Sequence, residues 1–193
     1  TGNIREFLQQ YEFPAISTWA AIDIASGLDE YIGVIGTYSP INNFLIDKCD
    51  LLISLGCRLS NNIIGSQPSE FAKDIKKIIV DIDGAELGKL KQLNISNYTD
   101  ICMDVGSFVA KISDSLSKRQ YAKGTYSYFK KLSEEEYAKQ SANSAISKLD
   151  ILINTVCINS KLQGIFLDTG NNLSWSCNIL SRINRRLPPI FSS

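Results

Sequence analysis

The segment Asp50-Leu51-Leu52-Ile53-Ser54-Leu55-Gly56 decides the fold. Its apolar residues are almost continuous rather than alternating, which is typical of a strand covered on both faces in a parallel sheet. The glycine at its end favours a tight turn out of the sheet. A second run, residues 77–83, reads Lys-Ile-Ile-Val-Asp-Ile-Asp and is rich in the β-branched side chains that strands favour. The two runs predict buried parallel strands.

Helical and strand-like patterns alternate around these two runs. Shorter strands are predicted at 14–18 and 101–103, and helices at 4–11, 41–49, 69–74, 84–93 and 105–116. The last of these helices has an apolar stripe on one side. This rhythm predicts an α/β fold, an open parallel sheet with helices on both faces and right-handed crossovers.

The composition changes beyond this region, so we divide the chain into three parts. Residues 1–118 form the predicted α/β domain. Residues 119–148 are rich in Lys, Ser, Glu and Tyr and predict a solvated helical linker. Residues 149–193 predict a helix, a strand at 164–168 and the start of another strand, which together begin a second α/β domain. Because the chain starts at Thr1 rather than at Met, we expect it to be a piece of a longer protein. The first strand of the α/β domain is expected to be missing from this piece.

Composition excludes several classes of function. The 20 basic and 20 acidic residues balance, so no net charge favours binding to nucleic acid or to a membrane surface. There is no histidine, which excludes a Ser-His-Asp triad and imidazole metal ligands. The five cysteines form no C-x-x-C pair, so we expect reduced thiols and neither zinc nor disulfides. With no signal peptide or apolar membrane span visible, these features predict a cytoplasmic protein.

Ligands of open α/β sheets bind outside the carboxyl ends of the strands. The residues predicted there include Gly56, Arg58, Asp81, Asp83 and Asp104. A glycine permits close approach to a ligand, an arginine can bind a phosphate with two hydrogen bonds, and a carboxylate can accept from ribose hydroxyls. They could form a nucleotide crevice, although no Gly-rich dinucleotide loop is present. The same residue types are also common in turns and helix caps, and the sequence leaves both interpretations open.

Four blocks, in this order, resemble the central Rossmann-like domain of the acetolactate synthase and pyruvate oxidase family, whose members use thiamine diphosphate (ThDP). They are residues 13–19 (FPAISTW), 31–36 (YIGVIG), 49–59 (CDLLISLGCRL) and 78–89 (IIVDIDGAELGK). The third and fourth blocks are specific in combination. The resemblance implies that residues 1–118 are this central domain.

A further block, residues 166–175 (FLDTGNNLSW), resembles the strand and loop that open the ThDP-binding domain of the family. The resemblance implies that Gly170, Asn171 and Asn172 approach the diphosphate of ThDP. Because the family's activating glutamate and its Gly-Asp-Gly segment for Mg²⁺ have no counterpart here, we assign no catalytic residue and no metal ligand to this chain. The full-length enzyme is expected to use ThDP and Mg²⁺, to act on a 2-keto acid, and to form a homodimer or homotetramer.

The sequence departs from the flavin-binding members of the family. Thr37 and Tyr38 stand where those members have Met-His, and Ser60, Asn61 and Asn62 stand where they have acidic residues and Arg. FAD therefore remains an open possibility rather than an expectation. Two alternatives are a stand-alone FAD- or NAD-binding domain, which flavin absorbance would reveal, and a non-catalytic interaction module, which would bind neither ThDP nor FAD.

Overall fold

The computed structural model describes residues 2–37, 39–116, 124–141, 146–159, 165–167, 171–182 and 189–191. The strands are β1 (Ala15–Ser17), β2 (Tyr31–Val34), β3 (Leu51–Leu55), β4 (Lys76–Asp81), β5 (Tyr98–Cys102), β6 (Ile165–Leu167) and β7 (Pro189–Phe191). The α-helices are α1 (Gly2–Tyr11), α2 (Ile22–Ala25), α3 (Pro40–Ile46), α4 (Asn61–Ile64), α5 (Gly84–Gln92), α6 (Val105–Leu116), α7 (Thr125–Ser141), α8 (Ile146–Asn159) and α9 (Asn171–Arg182). Among them, no helix is long and apolar enough to cross a membrane.

All strand pairs among the described residues are parallel, which confirms the predicted α/β class. The strands form three sheets, ordered β1-β2, β3-β4-β5 and β6-β7. The segment that decided the fold, β3, is an edge strand, and Leu51 is 44% exposed. Both faces of β3 are nevertheless partly covered, since Leu52 and Leu55 pack against apolar clusters on opposite sides of the sheet. The fully covered strand is β4, since it pairs on both sides and buries Ile79 and Val80.

Helices cover both faces of the sheet around β4. Because neighbouring side chains of a strand point to opposite faces, Ile79 and Val80 mark the two sides. Ile79 belongs to a buried cluster with Leu87 and Leu90 of α5. Val80 lies in register with Leu55, which packs against a cluster from α1 and α6.

Helices α1 and α6 are also joined by a hydrogen bond across 102 residues of sequence. The Tyr11 hydroxyl donates to the Ser113 carbonyl oxygen at 2.8 Å. The rings of Phe7, Tyr11 and Phe13 contact one another beside it, with centroids 5.1 to 6.0 Å apart. The predicted helix at 69–74 is instead a single 3₁₀ turn, Pro68–Glu70, followed by an irregular turn.

The predicted linker includes α7, whose charged residues are exposed as expected. Lys131 pairs with Glu135, and Lys139 with Glu136. One side of α7, however, packs against α3 and β2. There the buried Ser133 hydroxyl donates to Asn42 Oδ1 at 2.6 Å, and Asn42 Nδ2 donates to the Val34 carbonyl oxygen at 2.9 Å. The helix is thus docked on the α/β domain as well as solvated.

The last described helix, α9, also packs on the α/β domain. It contacts β2 as well as α8 and β6. Cys177 of α9 is fully buried in a cluster with Ile22 and Val34. Helix α9 therefore packs against strand β6 of the β6-β7 sheet and against strand β2 of the β1-β2 sheet.

Removing the Ser133 hydroxyl should weaken the docking of α7. In Ser133→Ala, the buried Asn42 Oδ1 loses its donor, which should lower the free energy of unfolding by about 1–3 kcal/mol. Ser127→Ala, at the exposed start of the same helix, should change it by less than about 0.5 kcal/mol. Urea denaturation of the purified chains measures both, and equal losses would contradict the docking role of Ser133.

Candidate functional site

The residues that follow the carboxyl end of β2 form hydrogen bonds to helices α3 and α4. The Gly36 amide donates to Asn43 Oδ1 at 2.8 Å, and Asn43 Nδ2 donates back to the Gly36 carbonyl oxygen at 3.2 Å. The Thr37 amide and hydroxyl both donate to the Asn62 carbonyl oxygen of α4, at 2.6 and 3.0 Å. We name these four hydrogen bonds, between Gly36 and Asn43 and between Thr37 and Asn62, the β2 latch. The latch joins the strand end to α3 and α4, beside a cavity of about 330 Å³ that Asn43, Ile63 and Ile64 help to line.

The end of β3 is also held by protein contacts. The Gly56 amide donates to the Val80 carbonyl oxygen at 2.8 Å. A Cβ atom at Gly56 would lie 3.3 Å from Val105 Cγ2, so the glycine permits close approach of α6. Arg58 follows and lines a small cavity together with Asp81 and Lys89. That cavity has about 30 Å³ of space, roughly enough for one water molecule.

The three predicted carboxylates each have a local backbone partner. Asp81, which is 9% exposed, accepts a hydrogen bond from the Asp83 amide at 2.9 Å. Asp83 caps α5 by accepting from the Ala85 amide at 2.9 Å. Asp104 caps α6 by accepting from the Ser107 amide at 2.9 Å. Such caps satisfy amides that a helix leaves free at its start, and here each uses one of the two oxygens of the carboxylate.

The structure brings some predicted site residues together and not others. Arg58 and Asp81 line the same cavity, whereas Asp83 does not line it and instead caps the start of α5. Asp104 caps a separate helix, α6. Gly170 lies outside the described residues, as do the side chains of Asn171 and Asn172, although both asparagines open α9.

A thiol that the sequence did not single out lies in the same cavity. All five cysteines are free, and Cys57 lines the cavity beside Asp81. Burial raises the pKa of Cys57 to about 11, and the negative charge of Asp81 contributes to this increase. Since the thiolate is the reactive form, Cys57 is a poor nucleophile at neutral pH. This thiol therefore adds no catalytic group to the edge.

The latch residues were missed as well, because their partners are distant in sequence. Asn43 lies 7 residues and Asn62 25 residues beyond their partners in the latch. Their types gave no signal, since asparagine in a helix or loop has many roles.

Among the described residues, no group of three or more Cys, Asp or Glu side chains is arranged to hold a metal ion.

The comparison with protein families matches residues 1–112 to the model described as "Thiamine pyrophosphate enzyme, central domain". This match covers more than half of the chain. The chain belongs to the thiamine pyrophosphate (ThDP) enzymes. The predicted family and the predicted central domain fold are thereby confirmed, and neither a stand-alone nucleotide-binding domain nor an interaction module is favoured.

Curated relatives of this ThDP-enzyme chain include acetolactate synthases. The large subunit from Porphyra purpurea is 27% identical over 185 residues, which cover 92% of this chain and 30% of the relative. Isozyme 2 large subunit from Escherichia coli K12 is 32% identical over 100 residues, covering 51% and 18%. Acetolactate synthase 1, chloroplastic, from Zea mays is 36% identical over 84 residues, covering 44% and 13%. The chain thus spans less than a third of the length of these relatives.

Introducing a side chain at Gly36 should break the β2 latch. Gly36 has φ of +96°, and a Cβ atom there would lie 2.5 Å from the Asn62 carbonyl oxygen. Gly36→Ala should therefore lower the free energy of unfolding by about 2 kcal/mol or more. Gly88→Ala is the control, because nothing lies within 4 Å of the added atom in α5, and it should stabilise by up to about 1 kcal/mol. Similar urea midpoints for the two variants would contradict the latch.

Alkylation should distinguish Cys57 from the exposed Cys102. At pH 8.5 the raised pKa leaves less than about 1% of Cys57 as thiolate, so iodoacetamide should label Cys102 much faster. Asp81→Asn should speed labelling of Cys57 because it removes the neighbouring negative charge, whereas Asp100→Asn at an exposed position should not. Peptide mass mapping over time gives both rates, and equal rates at the two cysteines would refute the assigned environment.

Proposed function

We propose that this chain acts as part of a longer ThDP-dependent enzyme that decarboxylates a 2-keto acid and transfers the resulting carbon group, as in acetolactate synthesis. The observation that carries the proposal is the match of residues 1–112 to the ThDP-enzyme central domain, together with relatives named acetolactate synthase that align over 92% of the chain. We propose the division into residues 1–118, 119–148 and 149–193, a cytoplasmic location, and assembly as a homodimer or homotetramer.

The start of α9 fits the diphosphate of ThDP. It follows the parallel strand β6, and its first turn contains no acidic residue that would repel an anion. Free amides and the helix dipole favour phosphate groups at such a position. In this proposal, Gly170 lets the backbone approach the diphosphate, while Asn171 and Asn172 donate hydrogen bonds to it. Bound ThDP supplies the nucleophilic carbon and accepts the electrons released by decarboxylation.

The edge of the central domain does not fit FAD in the described arrangement. One oxygen each of Asp83 and Asp104 caps a helix, the β2 latch joins the end of β2 to α3 and α4, and the cavity beside Arg58 holds about 30 Å³. We therefore propose that Gly56, Arg58, Asp81, Asp83 and Asp104 stabilise the central domain and bind no dinucleotide. Mg²⁺ would be held by residues of the longer protein, because the sequence contains no Gly-Asp-Gly segment.

The function is tested with the protein expressed from its complete natural reading frame. Pyruvate or 2-oxobutyrate, ThDP and Mg²⁺ are supplied, and CO₂ release and acetohydroxy-acid formation are measured. Decarboxylation that depends on ThDP supports the proposal. A full-length protein that binds no ThDP and releases no CO₂ from either keto acid would contradict the proposed function.

Removing the two asparagines should weaken ThDP binding. Asn171→Ala and Asn172→Ala should each raise the ThDP dissociation constant about fivefold, since each lost hydrogen bond contributes about 1 kcal/mol. Asn61→Ala, at an exposed position of α4, serves as the control and should leave the affinity unchanged. Calorimetric titration of the same full-length protein measures all three, and unaltered affinity in both variants would reject the loop assignment.

A further inference from the structure

Side chains from three helices meet at the carboxyl end of α9. The Tyr137 hydroxyl of α7 donates to Asp150 Oδ2 of α8 at 2.7 Å. Arg182, the last residue of α9, pairs with Asp150 Oδ1 at 3.5 Å, and its guanidinium carbon lies 3.3 Å from the centre of the Tyr137 ring. Asn154 Nδ2 also donates to Asp150 Oδ1, at 2.7 Å. We name Tyr137, Asp150 and Arg182 the α9 clamp.

The clamp is well suited to fix a position. Arg182 and Asp150 are about three-quarters buried, at 25% and 21% side-chain exposure, so solvent screens their attraction less than at the open surface. A planar guanidinium stacked on a ring and paired with a carboxylate has little rotational freedom left. Burial raises the pKa of the Tyr137 phenol, and the hydrogen bond to Asp150 raises it further, so the phenol remains a donor at neutral pH.

The middle of α9 is held separately by β2. Cys177 is fully buried against Ile22 and Val34, and Leu180 is 4% exposed. The six consecutive residues 176–181 are all buried, so this packing holds the C-terminal half of α9. The clamp adds a directional polar contact at the end opposite to Asn171.

The angle of α9 matters because its far end is where the diphosphate would bind. Twelve residues of α-helix are about 18 Å long, so a tilt of about 10° at the clamped end moves the other end by roughly 3 Å. Displacements of about 1 Å are already enough to impair a catalytic arrangement.

We propose that the α9 clamp is a positioning device, through which Tyr137, Asp150 and Arg182 hold the N-terminus of α9 where it binds the diphosphate of ThDP. The proposal rests on the proposed function. It gives α7 a role beyond that of a linker, since α7 carries Tyr137 at one place and docks on β2 through Ser133 at another. The central domain thereby helps to position a cofactor that it does not contact.

The experiment uses the full-length protein and compares four variants with the wild type. Arg182→Met and Tyr137→Leu remove the cation–ring contact, whereas Tyr137→Phe keeps the ring. Lys139→Met is the matched control. Lys139 lies on the same helix, two residues after Tyr137, and its exposed cation pairs with Glu136. Calorimetry measures the ThDP dissociation constant, and urea denaturation without ThDP measures stability.

Tryptophan emission provides a signature of where α9 lies. Residues 1–193 contain two tryptophans: Trp175 is on α9, and Trp19 packs against the cluster that includes Cys177. Any tryptophan elsewhere in the full-length protein is replaced by phenylalanine in the background used for this measurement. We expect Arg182→Met and Tyr137→Leu to raise the ThDP dissociation constant at least fivefold and to alter the emission change on ThDP addition. Lys139→Met should stay within twofold of the wild type, and Tyr137→Phe, which keeps the ring but loses the hydrogen bond to Asp150, should have a smaller effect than Tyr137→Leu. At saturating ThDP, the KM for the keto acid should be unchanged in all four.

Three outcomes decide between the possibilities. ThDP affinity within twofold of the wild type in Arg182→Met and Tyr137→Leu overturns the clamp, even if urea stability falls, because the residues would then be merely structural. Should those variants not fold, Asp150→Asn, which keeps the size of the side chain, carries the test, and unchanged affinity there also overturns it. A wild-type protein that binds no ThDP overturns the proposed function itself, which keeps the two failures distinguishable.

Discussion

The pairing of β4 between β3 and β5 is the constraint on which the rest of the domain depends. Five residues of β3 and five of β5 are in parallel register with β4, and both faces of β4 are buried, at Ile79 and at Val80. Helix α5 packs on one face, and α1 and α6 on the other. Because the strands are parallel, their carboxyl ends meet at one edge, and this brings Gly56, Asp81 and the start of α5 close together.

That edge differs from the open crevice that strand-end residues suggest. Carboxylates at strand ends can serve a ligand or the next helix, and in this chain Asp83 and Asp104 serve the next helix. The Thr37 amide and hydroxyl bind the Asn62 carbonyl oxygen and so join the end of β2 to α4. Much of this edge is therefore tied to neighbouring helices by protein hydrogen bonds.

The support extends beyond the central domain through two polar contacts of α7. One is the buried Ser133–Asn42 hydrogen bond, and the other is the clamp at Tyr137. Both join residues that are far apart in sequence, and both lie on a helix whose composition resembles an ordinary solvated linker. The exposed charges of α7 and its buried contacts occupy different sides of the same helix, so composition alone describes only the solvent side.

The sequence by itself determined the α/β class, the positions of most strands and helices, and the family. Apolar runs such as residues 51–55 and 78–80 are local patterns, and family blocks are read from residue order alone. Only the tertiary structure decided that β4 pairs on both sides, that Asp83 and Asp104 cap helices, and that Tyr137, Asp150 and Arg182 meet. The physical reason for the first and the last is that strand pairing and side-chain contacts depend on partners up to 102 residues away, which no local pattern specifies. A cap is local, but a carboxylate at a strand end can serve either the next helix or a ligand, and the residue type is the same in both cases.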